Sequence, residues 1–335
     1  MKKLTYGDHI RVLSPSNSIE SLGGFNANLS AKRRLEKLGF TVSFSNNYME
    51  NDLLNSSSIA SRVSDIHDAF REEHVNAILS TIGGFNANEI LPYLDYKLIK
   101  SHPKIICGYS DTTALLNAIY AKTGMETYMG PSYSSFKMEE GQDYQSRMWL
   151  NAVTRHIYNL VPSDKWSSDP WYDPSQPRHF MPTEWKIYNN GKAEGIAIGG
   201  HLATFGLLRG TEFAPNPENY ILFLEGSEKE KPTEISRHLA AVLQTYPNPQ
   251  AVIFGRFPKE CQMTEKIWHF ILDKHPVLKQ IPVMYDLDFA HTQPLFTFTI
   301  GAKGTIDTIS RAIQFKTTQI EIELEQILSN RLSSQ

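Results

Sequence analysis

Cysteine is scarce: Cys107 and Cys261 are the only two in 335 residues. Neither a disulfide framework nor a cysteine-ligated metal site is therefore expected. No histidine pair has the spacing of a helical zinc site. Excess charge of one sign is also missing, because 33 Lys and Arg face 36 Asp and Glu for a net charge of −3. That balance gives no electrostatic reason for a nucleic-acid partner. No apolar run approaches the length of a membrane span, so no membrane partner is expected. The opening Met1-Lys2-Lys3-Leu4-Thr5-Tyr6-Gly7-Asp8 lacks the apolar stretch of a signal peptide, which makes cytoplasmic the expected location. What remains is an ordinary soluble composition, 41% hydrophobic and 21% charged, long enough for two domains with a core each.

Residues 8–124 alternate strand and helix patterns. His9 to Leu13 reads as a strand leading into the loop Ser14-Pro15-Ser16-Asn17-Ser18. A helix around Asn28 to Leu38 stops at Gly39, and Phe40, Val42 and Phe44 alternate as a strand. Ile59, Val63, Ile66 and Phe70 share one helix face. Val75 to Thr81 is a strand ending in Gly83-Gly84, followed by a helix over Glu89 to Leu94. This repetition predicts an α/β fold with a parallel sheet covered by helices. From about Met138 to Glu184 the pattern breaks around Trp149, Trp166, Trp171, Trp185 and several prolines, and reads as linker with long aromatic loops.

A second, smaller α/β domain is predicted from strands near Ala193 to Ile198, Tyr220 to Leu224, Ala251 to Phe254, Pro282 to Tyr285 and Phe296 to Ile300. A helix from His201 to Leu208 and one capped by Thr233 belong to it, and Ile320, Ile322 and Leu324 suggest a last strand. The expected divisions are 1–150, a linker over 151–190, and 191–335, with the site between the two domains. Gly-Gly-Phe-Asn-Ala-Asn occurs at Gly23 to Asn28 and again at Gly83 to Asn88, in unlike flanks, as two similar loops.

The segment Lys104-Ile-Ile-Cys-Gly-Tyr-Ser-Asp-Thr-Thr113 places Ser110 at a turn between a buried strand and a helix closed by Gly124. A serine there projects its hydroxyl from rigid backbone, beside helix N-terminal amides that favour a developing oxyanion. It lacks the G-x-S-x-G pattern of hydrolases, and a plain N-cap serine is the competing explanation. A hydrolase on Ser110 needs a base and a carboxylate to orient it. Glu225 ends an apolar run where open α/β sheets place their sites, although a solvated loop carboxylate would look the same. His291, in Asp288-Phe-Ala-His-Thr-Gln-Pro294, is a candidate base or a hydrogen-bonded structural histidine. Gly83-Gly84 lets backbone approach a ligand closely, but it has neither dinucleotide-fingerprint spacing nor a P-loop lysine, so a nucleotide cofactor is not expected.

Gly83-Gly84-Phe-Asn-Ala-Asn-Glu-Ile-Leu-Pro-Tyr-Leu-Asp95 and Pro103 to Thr113 resemble the LD-carboxypeptidase family of serine peptidases. Gly130-Pro131, Gly199-Gly200, Leu222 to Glu225 and Phe289-Ala-His291 fall where that family has its later motifs. The resemblance implies a Ser110, His291, Glu225 triad and an oxyanion hole from amides near Gly84 and Asp111. It requires no metal or organic cofactor and implies a homodimer. Asn86 and Asn88, the insertion with Trp166 and Trp171, and Phe254-Gly255-Arg256-Phe257 look like the microcin C self-immunity branch. That branch hydrolyses aminoacyl-nucleotide antibiotics, with an aromatic residue stacked on the base, while the other branch cleaves murein tetrapeptides in peptidoglycan recycling.

By this likeness Lys229, Asn86, His201 and Trp166 or Trp171 are substrate-binding candidates. His201 stands where the family usually has Asn, a change bearing on substrate preference, and Gly226 replaces a common Asp. A binding protein that lost catalysis is the non-enzymatic alternative, and the intact Ser, Glu and His argue against it.

Overall fold

The computed structural model describes residues 1–172, 176–289 and 291–317. In chain order its strands begin with β1 (His9–Leu13), β2 (Thr41–Phe44), β3 (Ala77–Ser80), β4 (Ile105–Gly108) and β5 (Thr127–Met129). Next come β6 (Ile157–Leu160), β7 (Lys165–Trp166), β8 (Met181–Pro182), β9 (Lys186–Asn189), β10 (Lys192–His201) and β11 (Tyr220–Glu225). The last are β12 (Ala251–Gly255), β13 (Val283–Leu287), β14 (Phe298–Ile300), β15 (Lys303–Asp307) and β16 (Ala312–Lys316). Among the described residues they form a six-stranded sheet, an eight-stranded sheet and a two-stranded ribbon. The expected strand through Ile320, Ile322 and Leu324 lies outside the described residues, as does Pro174.

The first sheet has the order β14-β5-β4-β3-β1-β2, parallel except where β14 joins β5. Strands β3 and β4 are buried along their whole length, as a sheet covered on both faces requires. Helix Ile59–Arg71 starts on Ser58, whose hydroxyl accepts from the Ser61 amide, and buries Ile66 and Phe70. The segment after Gly83-Gly84 is not an α-helix but a 3₁₀ stretch, Ala87–Tyr93, because Pro92 cannot donate to the α ladder.

The second sheet runs β6-β16-β15-β10-β11-β12-β13-β9, with a parallel centre and antiparallel edges. It therefore carries more strands than the first. The stretch read as linker supplies both of its edges, β6 and β9. Their four-residue patterns are too short to stand out among the surrounding prolines and tryptophans. Trp149, expected in a loop, sits fully buried in helix Gln142–Thr154 against Phe40 and Phe136. Helix Pro232–Thr245 is capped two residues earlier than expected, by Lys231 rather than Thr233, with the Lys231 amide donating to the Glu234 carboxylate at 2.8 Å.

Strand β14 was expected in the second domain but pairs in the first sheet. Phe298 on it stacks on Phe223 of β11, with ring centroids 4.5 Å apart, and lies 6.3 Å from Phe315 of β16. An aromatic seam thus joins the two sheets. Beside it the Asn117 side-chain amide donates to the Gly199 carbonyl at 2.8 Å and accepts from the Gly199 amide at 3.2 Å. These contacts tie β14 to β11 and the helix that follows β4, Thr112–Thr123, to β10. Among the described residues no helix is long and apolar enough to cross a membrane.

Candidate active site

The turn after β4 carries Ser110 at φ +59°, a left-handed conformation that a residue with a Cβ adopts at a cost of about 1–3 kcal/mol. Strain of this kind persists when the surroundings over-determine it. Here the Asp111 carboxylate, buried at the start of helix Thr112–Thr123, accepts from the Ser16 hydroxyl at 2.5 Å and the Ala87 amide at 2.8 Å. One side chain thereby ties the loops after β1 and β3 to the serine turn. Gly83 closes against that turn, where an added Cβ would stand 2.8 Å from the Ser110 Cβ and 3.3 Å from the Asp111 amide nitrogen. At Gly84 a Cβ would collide with Ser16 and Asn17. The first amides of a helix have no intrahelical acceptor, and Asp111, next to the serine, caps helix Thr112–Thr123.

Glu225 ends β11, whose six residues are all buried. His291 follows β13 in a turn anchored by Asp288, which is fully buried. The Asp288 carboxylate accepts from the Trp185 indole at 2.7 Å, the Ser163 amide at 3.0 Å, the Ser163 hydroxyl at 2.8 Å and the Arg256 guanidinium at 3.2 Å. Four donors, one of them cationic, offset the cost of burying that charge.

The three candidates from different parts of the chain meet. His291 Nδ1 lies 2.9 Å from Glu225 Oε2, and Nε2 lies 2.9 Å from Ser110 Oγ. The carboxylate assigns the proton to Nδ1, which leaves Nε2 to accept from the serine hydroxyl. Burial alone would lower the imidazole pKa, but the neighbouring Glu225 charge and its hydrogen bond outweigh that, and the net shift is upward from 6.5.

Ser110 and His291 open on a cleft of about 710 Å³. Phe85, Trp171, Tyr172 and Lys229 also line it. Trp171 meets Tyr172 edge to face at 5.8 Å, and the exposed Lys229 ammonium lies 4.8 Å from the Phe85 ring centre. Trp166 is not in this cleft. It covers the Arg256 guanidinium at 4.5 Å and lines a separate cavity of about 400 Å³. Asn86 is not on the cleft wall either: it is buried, its amide donating to Ser16 Oγ at 3.3 Å and its carbonyl accepting from Arg62 at 2.8 Å.

His201 does line the cleft, yet both ring nitrogens are engaged inside the protein, Nδ1 with Thr204 Oγ1 at 2.8 Å and Nε2 with Glu230 Oε2 at 2.9 Å. Tyr172, Phe85 and Glu230 were not singled out from the sequence. Only the three-residue interval from His201 to Thr204 gave a local hint, and the Glu230 partner is 29 residues away.

The LD-carboxypeptidase N-terminal domain profile matches residues 10–130, and the C-terminal domain profile matches residues 194–306. YocD of Bacillus subtilis, named as a carboxypeptidase, is 40% identical over 92% of this chain and 96% of its own length. The crystal structure of an MccF-like protein from Bacillus anthracis strain Ames, 40% identical, superposes with a TM-score of 0.91 over 95% of this chain and 99% of that one. The Escherichia coli microcin C7 self-immunity protein MccF is 31% identical over 94% of this chain and 98% of its own. A structure of MccF with aspartyl sulfamoyl adenosine covers 95% of this chain and 98% of MccF at a TM-score of 0.85. More distantly, the murein tetrapeptide carboxypeptidase of Pseudomonas aeruginosa is 23% identical over 70% of this chain and 73% of its own. With both domains matched and the relatives aligned over nearly their whole lengths, the chain belongs to the LD-carboxypeptidase family and is a hydrolase of the carboxypeptidase class.

Proposed function

We propose that the protein is a serine peptidase that hydrolyses the amide or acyl linkage of an aminoacyl nucleotide of the microcin C type. The observation that carries the chemistry is the unbroken hydrogen-bond chain from Glu225 through His291 to Ser110 at the cleft wall. Ser110 Oγ attacks the scissile carbonyl while His291 Nε2 takes the hydroxyl proton. The amides near Gly84 and Asp111 stabilise the oxyanion. His291 then returns the proton to the leaving nitrogen, and water releases the acyl group by the same route in reverse. Glu225 holds the imidazole in the productive tautomer and stabilises its charged form.

The substrate reading draws support from the aromatic cleft wall and from the likeness to MccF. Trp171 is the platform to which a nucleobase is assigned, and Trp166 is left out of that role. Alanine at Trp171 will weaken binding of an aminoacyl-sulfamoyl nucleoside by about 1–3 kcal/mol, the range for one stacked base. The base-lacking analogue will be unaffected. Calorimetric titration of the Ser110→Ala protein reads this, and equal weakening of both ligands would return Trp171 to a structural part.

Lys229 is assigned to a carboxylate on the aminoacyl end. Lys229→Met will raise KM for acidic aminoacyl substrates roughly fivefold, as an exposed ion pair of about 1 kcal/mol does. Neutral substrates will change little, and an equal change for both would remove the specificity role. The deciding experiment for the reaction is turnover of aspartyl sulfamoyl adenosine beside a murein tetrapeptide. Cleavage of the peptide alone would move the substrate to murein recycling.

A further inference from the structure

A second histidine–carboxylate pair stands beside the first. His201 is the last residue of β10, directly opposite Glu225 in the parallel pairing with β11. Its backbone amide donates to Thr113 Oγ1 at 3.0 Å, on the helix that follows Ser110. Its ring lies 5.3 Å from that of His291, edge to face. An imidazole so close to the serine could compete as a base, but neither nitrogen is available. Nε2 must donate to the Glu230 carboxylate at 2.9 Å, which leaves Nδ1 to accept from the Thr204 hydroxyl at 2.8 Å.

Glu230 does more than receive His201. The same oxygen accepts from the Ser227 amide at 2.8 Å and the Ser227 hydroxyl at 3.3 Å, and the Glu230 amide donates back to the Ser227 carbonyl at 3.2 Å. The segment from Ser227 to Glu230 is thus folded on one buried carboxylate, with exposed Glu228 and Lys229 between its ends and facing the cleft. Burial pushes the Glu230 carboxyl pKa up, but His201 and the Ser227 amide pull it further down, so the group stays charged and holds its donors. A charge-assisted hydrogen bond of this kind is stronger than a neutral one, and its loss would free the loop.

We propose that His201 and Glu230 form a positioning pair that sets the loop of Glu228 and Lys229 in the cleft and so determines recognition of the acyl end of the substrate. His201 is therefore not itself a substrate ligand. The kinetic part of this inference rests on the peptidase reading of the site, while the loop geometry does not.

The test is a variant series read by KM and kcat separately. His201→Ala and Glu230→Ala will each raise KM for acidic aminoacyl substrates by up to about fivefold, no more than loss of Lys229 itself, and leave kcat within about twofold, because Ser110, His291 and Glu225 are untouched. His201→Gln, whose side-chain amide reaches as far as Nε2 and can donate to Glu230, will restore KM to within about 1.5-fold of the parent. In a Lys229→Ala background Glu230→Ala will add little, since the two act through one contact. Amide exchange over residues 226–230 will be faster in His201→Ala and near the parent rate in His201→Gln.

A fall in kcat with KM unchanged, failure of Gln to do better than Ala, or additive effects of Lys229 and Glu230 would each overturn the proposal. If the parent cleaves only the murein tetrapeptide, the aminoacyl-nucleotide reading fails alone, and the same series is read on that peptide. If the parent cleaves neither, the exchange measurement decides: unchanged exchange in His201→Ala overturns the positioning pair.

Discussion

Ser110→Ala will yield a folded protein whose kcat is lower by roughly 10³-fold or more, the scale on which removing a triad nucleophile acts. The change deletes one oxygen whose hydrogen bond is to His291 Nε2 at 2.9 Å. Losing that bond costs about 1 kcal/mol, well inside the stability of an ordinary domain. Alanine also keeps the Cβ that the turn already accommodates at φ +59°. The Asp111 anchors to Ser16 and Ala87 remain, so the turn has no reason to reorganise. A thermal melt near that of the parent, with lost turnover, is the expected pair of observations. Turnover within tenfold of the parent would show that Ser110 is not the nucleophile. A serine-directed fluorophosphonate adds an independent check, because it should label the parent at Ser110 and leave the variant unlabelled.

Glu225→Gln will lower kcat by about 10³–10⁴-fold, as expected when the residue that fixes the imidazole tautomer loses its charge. Glu225 Oε2 accepts from His291 Nδ1 at 2.9 Å, with the carboxylate fully buried behind an imidazole that reaches the cleft. A glutamine there can turn its amide toward Nδ1, placing the proton on Nε2, where it cannot take another from Ser110. The pH profile gives a second signature with a definite sign. In the parent the folded imidazole pKa is raised above its ordinary 6.5, so kcat/KM falls, as pH drops, at a pH above that value. Removing the Glu225 charge takes away the largest influence opposing burial, leaving only the weaker pull of Glu228 and Glu230 against it, so the pKa falls. The acid limb of the variant will therefore move to lower pH even though its absolute rate is small. The same linkage has a stability side. The raised pKa contributes stability that is full below the unfolded imidazole value and is lost as pH rises through the folded value. A limb that stays in place or moves upward would show that Glu225 does not govern His291.

Much of this molecule was legible in one dimension. Alternating apolar strands and one-faced helices over the first 124 residues imply a parallel sheet, and β1, β3 and β4 with helix Ile59–Arg71 lie where those patterns place them. Ser110 stands in the turn after β4 and Glu225 is the last residue of β11, while His291 lies four residues beyond β13. Local pattern carried less at the edges of the second sheet. Strands β6 and β9 are four residues long and are held by pairing with partners far away in sequence. Strand β14 lies within the second domain in sequence yet pairs with β5, because Phe298 finds its stacking partners at the seam between the sheets. No propensity encodes such a choice.

The tryptophans divide in the same way. Composition marks residues 149–185 as aromatic, but it does not sort core from cleft. Trp149 and Trp185 pack inside, Trp166 covers Arg256, and Trp171 alone among these four lines the cleft beside Ser110. Family likeness offered His201 and Asn86 as substrate contacts. In the structure the His201 ring is engaged by Glu230 and Thr204, whereas Asn86 is held through its backbone N–H and C=O by Ser16 and Arg62.

By itself, then, the sequence determined the α/β class, the family and which three residues could form a nucleophile, base and carboxylate, since each follows from patterns a few residues long. Tertiary structure alone decided which polar groups are already satisfied. A buried donor or acceptor takes the nearest partner in space, and that partner is a property of packing rather than of spacing along the chain.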